Sequence, residues 1–238
     1  MRLFDKARHP WLAAFRAAFP LTAPVGLGFL FLGCSYGMLM GVHGFSVLYP
    51  LCMSALIFAG SMEFVTVSLL LSPFDPIAAF TLAIMVNARH MFYGIAMLPR
   101  FAETGWIKPL LIYGLCDETF ALHVSTVAPQ GIDEKKFMLA TTLLNQAYWV
   151  SSSTLGGLIG ARLPQHTEGL QFVLTALFVV IAMDQWRAQA VAGRTGIILG
   201  LVVTTVCLVI FGSAQFMIPA LLGIVLLCLA LRSRLEQA

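Results

Sequence analysis

The sequence predicts an all-α fold: a polytopic bundle of about eight membrane-crossing helices, with seven as the lower count and with broken or re-entrant helices allowed. Composition and the run pattern both lead there. The chain of 238 residues is 59% hydrophobic and 11% charged, with a mean hydropathy of +0.89. An ordinary globular domain is about 25% charged, and a water-soluble core of this size has no room for so much apolar surface. The apolar runs are also continuous over about 20 residues, the length a helix needs to cross a bilayer. They do not alternate as the strands of a membrane barrel do.

The first stretch, MRLFDKARHPWLAAFRAAFP, is basic, and Arg16 interrupts its apolar run. It lacks a small-residue cleavage site and reads as an amphipathic entry segment rather than a signal peptide. Eight spans follow, at 19–41, 46–71, 74–98, 108–128, 137–160, 169–186, 195–212 and 216–231. Breakers separate them, among them Ser72-Pro73, Pro99-Arg100, Pro129-Gln130-Gly131 and Gly212-Ser213. The Ala59-Gly60-Ser61 stretch is a place where the second span can break. No linker interrupts the series, so residues 1–238 read as a single transmembrane domain.

Short loops on the cytoplasmic side of a membrane collect Lys and Arg. In the eight-span order one side holds Arg2, Lys6, Arg8, Arg16, Lys135, Lys136, Arg187, Arg194, Arg232 and Arg234. The other holds Arg100, Lys108 and Arg162. Both termini are therefore expected in the cytoplasm, with the loop 99–108 as the exception. A re-entrant segment would change the parity after it. Two strings, LIFAGSME at 56–63 and LIYGLCDE at 111–118, align without gaps and hint at an internal repeat. In the eight-span order they run the same way and are not an inverted pair.

A charge at the centre of a membrane helix costs at least about 2.5–3.5 kcal/mol, so such residues face the bundle interior and mark a pathway. Glu63, Arg89, Asp117 and Glu118 are the strong cases; Asn87, His90, His123 and Asn145 are weaker. Counting from the shared loop 99–108, Arg89 and Asp117 each lie about 14 Å deep and are expected at one level. Glu63, counted from the opposite face, lies about 12 Å deep. One buried pair that only fixes helix register accounts for Arg89 and Asp117. Three carboxylates exceed what one arginine neutralises, which favours a solvated site at mid-membrane. Trp149, four residues after Asn145, either lines that site or packs. Asp184 and Arg187 read as an interfacial pair. No HExxH string or other metal-ligand spacing is present, and Cys34, Cys52, Cys116, Cys207 and Cys228 read as buried free thiols. The scattered positive charge does not suit nucleic acid, and neither a nucleophile–base set nor a cofactor motif stands out.

The strings SALIFAGSMEF, NARHMFYG, LCDETFAL and YWVSSSTLGGLIGARLP together resemble the AzlC family of branched-chain amino acid exporters, the large subunit of a two-component permease. The resemblance covers about residues 15–190; the last two helices match only in hydropathy. It implies proton-motive-force-driven efflux of valine, leucine, isoleucine or analogues from a bacterial inner membrane. It also implies a small AzlD-type membrane partner. The matching positions here are Asn87, Arg89, His90, Asp117 and Glu118. The family pattern commonly carries glutamine before Phe64, where this chain has Glu63, an added ionisable group. With Asn145, these form the expected substrate-binding or proton-coupling set. A transporter of another amino acid or small organic solute, or a non-transporting assembly subunit, remains the alternative.

Overall fold

The computed structural model describes residues 10–162 and 191–230, with the isolated positions 179, 183, 186 and 187. The chain divides into two compact units, Met1–Gln171 and Phe172–Ala238, and every regular element among the described residues is helical.

In the first unit, α1 (Pro10–Val42) and α7 (Glu134–Gly160) form the spine. α1 starts well before position 19 and keeps Pro20 and Pro24 inside it; neighbouring groups in a membrane bundle re-satisfy the backbone that proline frees. The two helices run parallel. Ala14 and Ala18 cluster with Phe137 and Ala140 near their starts. Further on, a Cβ added at Gly33 would strike Ser152, at Gly37 Ser153 and Gly157, and at Gly41 Gly160 and Ala161. Small residues on both helices thus allow close backbone approach, the usual seam of membrane helix pairs. The seam defines two ends of the unit, a Pro10 end and a Val42 end.

Span 46–71 is two helices, α2 (Leu48–Leu56) and α3 (Gly60–Leu71). The break at Ile57–Ala59 carries Phe58 at φ 47, an uncommon conformation for a bulky residue. α2 descends from the Val42 end: Val47 and Pro50 lie against Gly157, and the Ala55 carbonyl accepts from Gln146 Nε2 at 3.1 Å. α3 then turns back. It leads to α4 (Pro76–Phe101), a single helix capped by Asp75, whose carboxylate accepts from Ile77 N and Ala78 N at 3.0 Å each. The far end of α4 lies at the Pro10 end, where Arg100 meets Glu134 at 2.7 Å. From Arg100 to Pro76 is about 36 Å of helix. Had α3 continued toward the Pro10 end, the five residues from Leu71 to Pro76 would have to bridge that length, twice the roughly 18 Å they can span. α2 and α3 therefore form a hairpin that enters and leaves at the Val42 end.

Span 108–128 is also two helices, α5 (Lys108–Tyr113) and α6 (Asp117–Ser125), broken at Gly114–Cys116. A 3-10 turn, Gly105–Ile107, leads in. Ile107, Leu111 and Leu115 pack with Met97, Phe101, Met138 and Leu139, so α5 starts beside the end of α4. α6 returns to the same place, since the Thr126 carbonyl accepts from Arg100 Nη2 at 2.8 Å. This second hairpin enters and leaves at the Pro10 end. It corrects the eight-span order: loops 99–108 and 126–133 share one end, and the two echo strings, each straddling one break, point in opposite directions.

The second unit holds α8 (Val191–Gln215), with a non-helical kink at Gly212 (φ 71, ψ 170), and α9 (Met217–Ala230). Most of span 169–186, with Asp184, lies outside the described residues. Two helices among the described residues are long and apolar enough to cross a membrane by length and composition, Pro10–Val42 and Thr195–Gly212, which does not confirm the expected count of about eight. α4 and α7 are 26 and 27 residues long but carry the polar residues of the site. The thiols also depart from expectation: Cys116 is buried, Cys34 and Cys207 are half-buried, and Cys52 is exposed.

Candidate functional site

The tips of the two hairpins meet beside the middle of α4. Tyr113, the last residue of α5, donates its hydroxyl to Ala55 O at 2.6 Å, tying one tip to the other. Arg89 of α4 bridges them. Its Nη1 pairs with Asp117 Oδ2 at 2.9 Å, and its Nη2 donates to Ser61 Oγ at 2.8 Å. Asp117 opens α6 and Ser61 sits in the first turn of α3, so the guanidinium lies where two helix N-termini converge. Helix N-termini favour negative charge, and Asp117, Glu118 and Glu63 all stand in such first turns. Tyr93, one turn beyond Arg89, donates to Asp117 Oδ1 at 2.6 Å and stacks on Phe120 at 4.4 Å between centroids.

Glu63 lies on the other side of the α2–α3 tip and is fully buried. Its Oε1 reaches back one turn to accept from the backbone N–H of the N-cap residue, Ala59, at 3.1 Å, satisfying a donor that the helix start leaves open. The same oxygen accepts from Trp149 Nε1 at 2.9 Å, while Oε2 has no partner. Aromatic rings surround this carboxylate: Trp149 stacks on Tyr36 at 6.3 Å, and Phe64 meets Tyr36 edge-on at 5.5 Å. One turn before Trp149, buried Asn145 donates to Thr119 Oγ1 at 3.0 Å, and its own Oδ1 is unpartnered. Thr119 Oγ1 also lies 3.1 Å from Cys116 Sγ in the second tip.

These contacts close a ring through four helices. Arg89 leads to Asp117, along α6 to Thr119, across to Asn145, along α7 to Trp149, across to Glu63, along α3 to Ser61, and back to Arg89. Of the sequence-predicted residues, Arg89, Asp117, Glu63 and Asn145 belong to the ring. Glu118 is half-buried beside Asp117, and Asn87 is half-buried on α4. His90 meets Tyr93 edge-on at 5.6 Å, and its Nδ1 is unpartnered. Sequence reasoning missed Ser61, Tyr93 and Thr119, uncharged residues that lie within about one turn of Glu63, Arg89 and Asp117 in sequence and bond across to other helices. Trp149 proves to be both packing and ligand. His123, within 3.1 Å of Thr142 Oγ1 and edge-on to Phe101, is a packing residue. Among the described residues no group of His, Cys, Asp or Glu is suited to a metal ion.

The profile of the family described as AzlC protein matches residues 24–163, which take in both hairpins and all of the ring. The branched-chain amino acid transport protein AzlC of Bacillus subtilis (strain 168) is 47% identical over 234 residues, covering 98% of this chain and 91% of that protein. An uncharacterized membrane protein of Helicobacter pylori (strain ATCC 700392 / 26695) is 37% identical over 96% of this chain and 99% of its own length. Inner membrane protein YgaZ of Escherichia coli (strain K12) is 25% identical over 92% of this chain and 90% of its own. No solved structure matches the chain significantly. Over more than half of its length, then, and around the whole of the charged ring, this chain belongs to the AzlC family.

Proposed function

We propose that the chain is the large subunit of a secondary transporter that exports valine, leucine, isoleucine or close analogues. It works in the bacterial inner membrane, uses the proton-motive force, and acts with a small AzlD-type membrane subunit. The observation that carries this reading is Arg89, held between the tips of two hairpins that enter from opposite ends. Broken helices whose N-termini converge on a polar centre are the way many transporters hold a substrate at mid-membrane. A zwitterion needs a cation for its carboxylate and an acid for its ammonium. Arg89, with two helix N-termini behind it, takes the first; Asp117 or Glu118 takes the second. Arg89 and Asp117 keep side-chain exposures of 35% and 30%, so an incoming ligand has access to both.

Phe64, Leu115 and Phe120 lie beside the tips in sequence and supply apolar contact for an aliphatic side chain. Such a pocket separates neighbouring methylenes by only about 1–3 kcal/mol, so the specificity is broad. Each hairpin closes the site from its own end, and displacing either one opens it to one side. The Pro10 end faces the cytoplasm, because Arg16, Arg100, Lys108, Lys135 and Lys136 gather there, and of the described loop Lys and Arg of the first unit Arg162 alone sits opposite.

The test is reconstitution with and without the small subunit, following efflux of labelled leucine. Efflux is expected only with both chains; equal efflux from either preparation removes the two-component reading. The double variant Arg89→Met, Asp117→Asn is expected to fold and lose efflux. Near-normal efflux at normal abundance would falsify a binding role for Arg89 and leave the pair a packing device.

A further inference from the structure

We propose that Glu63 is the site at which this transporter binds and releases its coupling proton, on the carboxyl oxygen Oε2. The inference rests on the transport reading above and assigns one of its parts. The two acids are held in opposite ways. Both oxygens of Asp117 are engaged, Oδ2 by the Arg89 guanidinium at 2.9 Å and Oδ1 by the Tyr93 hydroxyl at 2.6 Å. Charge-assisted bonds of this kind are the strong ones, and they leave neither oxygen of Asp117 open. Glu63 makes no ion pair among the described residues. Its Oε1 takes two donors, Ala59 N and Trp149 Nε1, and its Oε2 is buried with none.

An ionised oxygen shut away from water and from every donor is costly. A proton on Oε2 removes the charge and turns that oxygen into a donor. The surroundings suit such a change. From α1 the phenol of Tyr36 faces the carboxyl, and from α5 the phenol of Tyr113. Neither donates to it: Tyr36 bonds Met53 Sδ at 3.4 Å and Tyr113 bonds Ala55 O. From α7 come Trp149 and Asn145, which do not titrate, and Asn145 Oδ1 is a second buried acceptor without a donor. Of the ionisable groups that α4 and α6 bring to the ring, Arg89 and Asp117 are taken up with one another, Glu118 stands beside Asp117 in the first turn of α6, and His90 lies against Tyr93. α3 itself carries no other ionisable side chain.

The position also links the proton to the gate. Oε1 caps the start of α3 through Ala59 N, directly at the tip of the hairpin that opens toward the Val42 end. Moving the α2–α3 hairpin opens Oε2 to the Val42 end, where it takes up a proton, and closing it buries the neutral acid. Moving the α5–α6 hairpin opens the site to the Pro10 end, where the proton leaves as substrate binds, so that a proton crosses one way for substrate carried the other.

Glu63→Gln separates the roles, because the amide oxygen keeps both bonds of Oε1 while the second position no longer titrates. Full-length chain with its small subunit is reconstituted into liposomes. Leucine exchange at equal pH on both sides moves no net proton and is expected within about twofold of wild type, since the cap and the indole bond survive. Accumulation driven by an imposed pH gradient is expected to fall about tenfold or more, as for other intramembrane proton relays. A readout that needs no transport is the protonated-carboxyl C=O band in infrared spectra of the reconstituted protein, expected in wild type and lost in Glu63→Gln. Gradient-driven accumulation equal to wild type, loss of exchange along with accumulation in a folded variant, or an unchanged carboxyl band each overturns the proposal. Absence of leucine exchange in the wild type instead overturns the transport reading and leaves the infrared result to judge the proton site.

Discussion

Arg89 bridges the two hairpins directly, since one nitrogen holds the first turn of α3 and another holds Asp117 of α6. Removing one member of such a pair leaves the other charged and unpaired, which in a fully buried site costs about 3–5 kcal/mol, while removing both is often nearly neutral. Because Arg89 and Asp117 are about a third exposed, Arg89→Met alone is expected to cost less, about 2 kcal/mol. The double variant with Asp117→Asn is expected to recover most of that, to within about 1 kcal/mol of wild type. Denaturation in mild detergent checks both; a double variant less stable than the single one contradicts the pairing. This pair was legible in the sequence because both depths are counted from the same loop, and the count is the same whether 108–128 crosses or turns back. Ser61, Tyr93 and Thr119 were not legible, because a search for charges in apolar runs passes over hydroxyls that are ordinary in membrane helices.

At the scale of elements, two kinds of pairing divide the work. α1 and α7 are locked by small residues along their length, with Gly33, Gly37 and Gly41 against Ser152, Ser153, Gly157 and Gly160. The hairpins are tied to one another at their tips by side-chain bonds to Ala55 O, Ser61 and Asp117, while their outer ends pack on the spine and on α4. Gly37→Leu inserts a side chain into the backbone of α7 and is expected to cost about 3 kcal/mol or more, the upper range of overpacking. The same change at Gly28, where an added Cβ meets nothing within 4 Å, is expected to stay within about 0.5 kcal/mol, as for substitutions away from packed features. Equal effects, measured as thermal stability, would mean that the seam does not hold the spine. The helices themselves were legible as apolar runs. The reversal inside two of them was not, since a nine-residue and a twelve-residue helix around a short break have the hydropathy of one crossing helix. A sliding window carries no information about direction.

At the scale of the whole molecule, the hairpins change which loops share a side. In an eight-span order loop 72–75 faces the cytoplasm and loop 99–108 the exterior, so Arg100 and Lys108 break the positive-inside bias. With two hairpins that exception disappears. Arg100 is bound to Glu134 and to the Thr126 carbonyl at the Pro10 end, and Lys136 lies over the Trp11 ring at 5.8 Å. The starts of α1 and α7 and the end of α4 therefore share one face. Replacing two crossings by two re-entrant hairpins also removes an even number of spans. That change leaves the expectation that both termini face the cytoplasm as it stood, an expectation for labelling to decide. Single cysteines at Phe74, Glu103 and Lys135, all exposed, in a background without the native cysteines, discriminate the two orders. With a membrane-impermeant thiol reagent on intact cells, Phe74→Cys is expected to react from outside, and Glu103→Cys and Lys135→Cys only after permeabilisation. The eight-span order gives the reverse at the first two positions and agrees at the third. External labelling of Glu103→Cys with protection of Phe74→Cys would return α2–α3 and α5–α6 to full crossings. The two tips would then no longer enter from opposite sides, and Arg89 would lose the arrangement on which the transport reading depends.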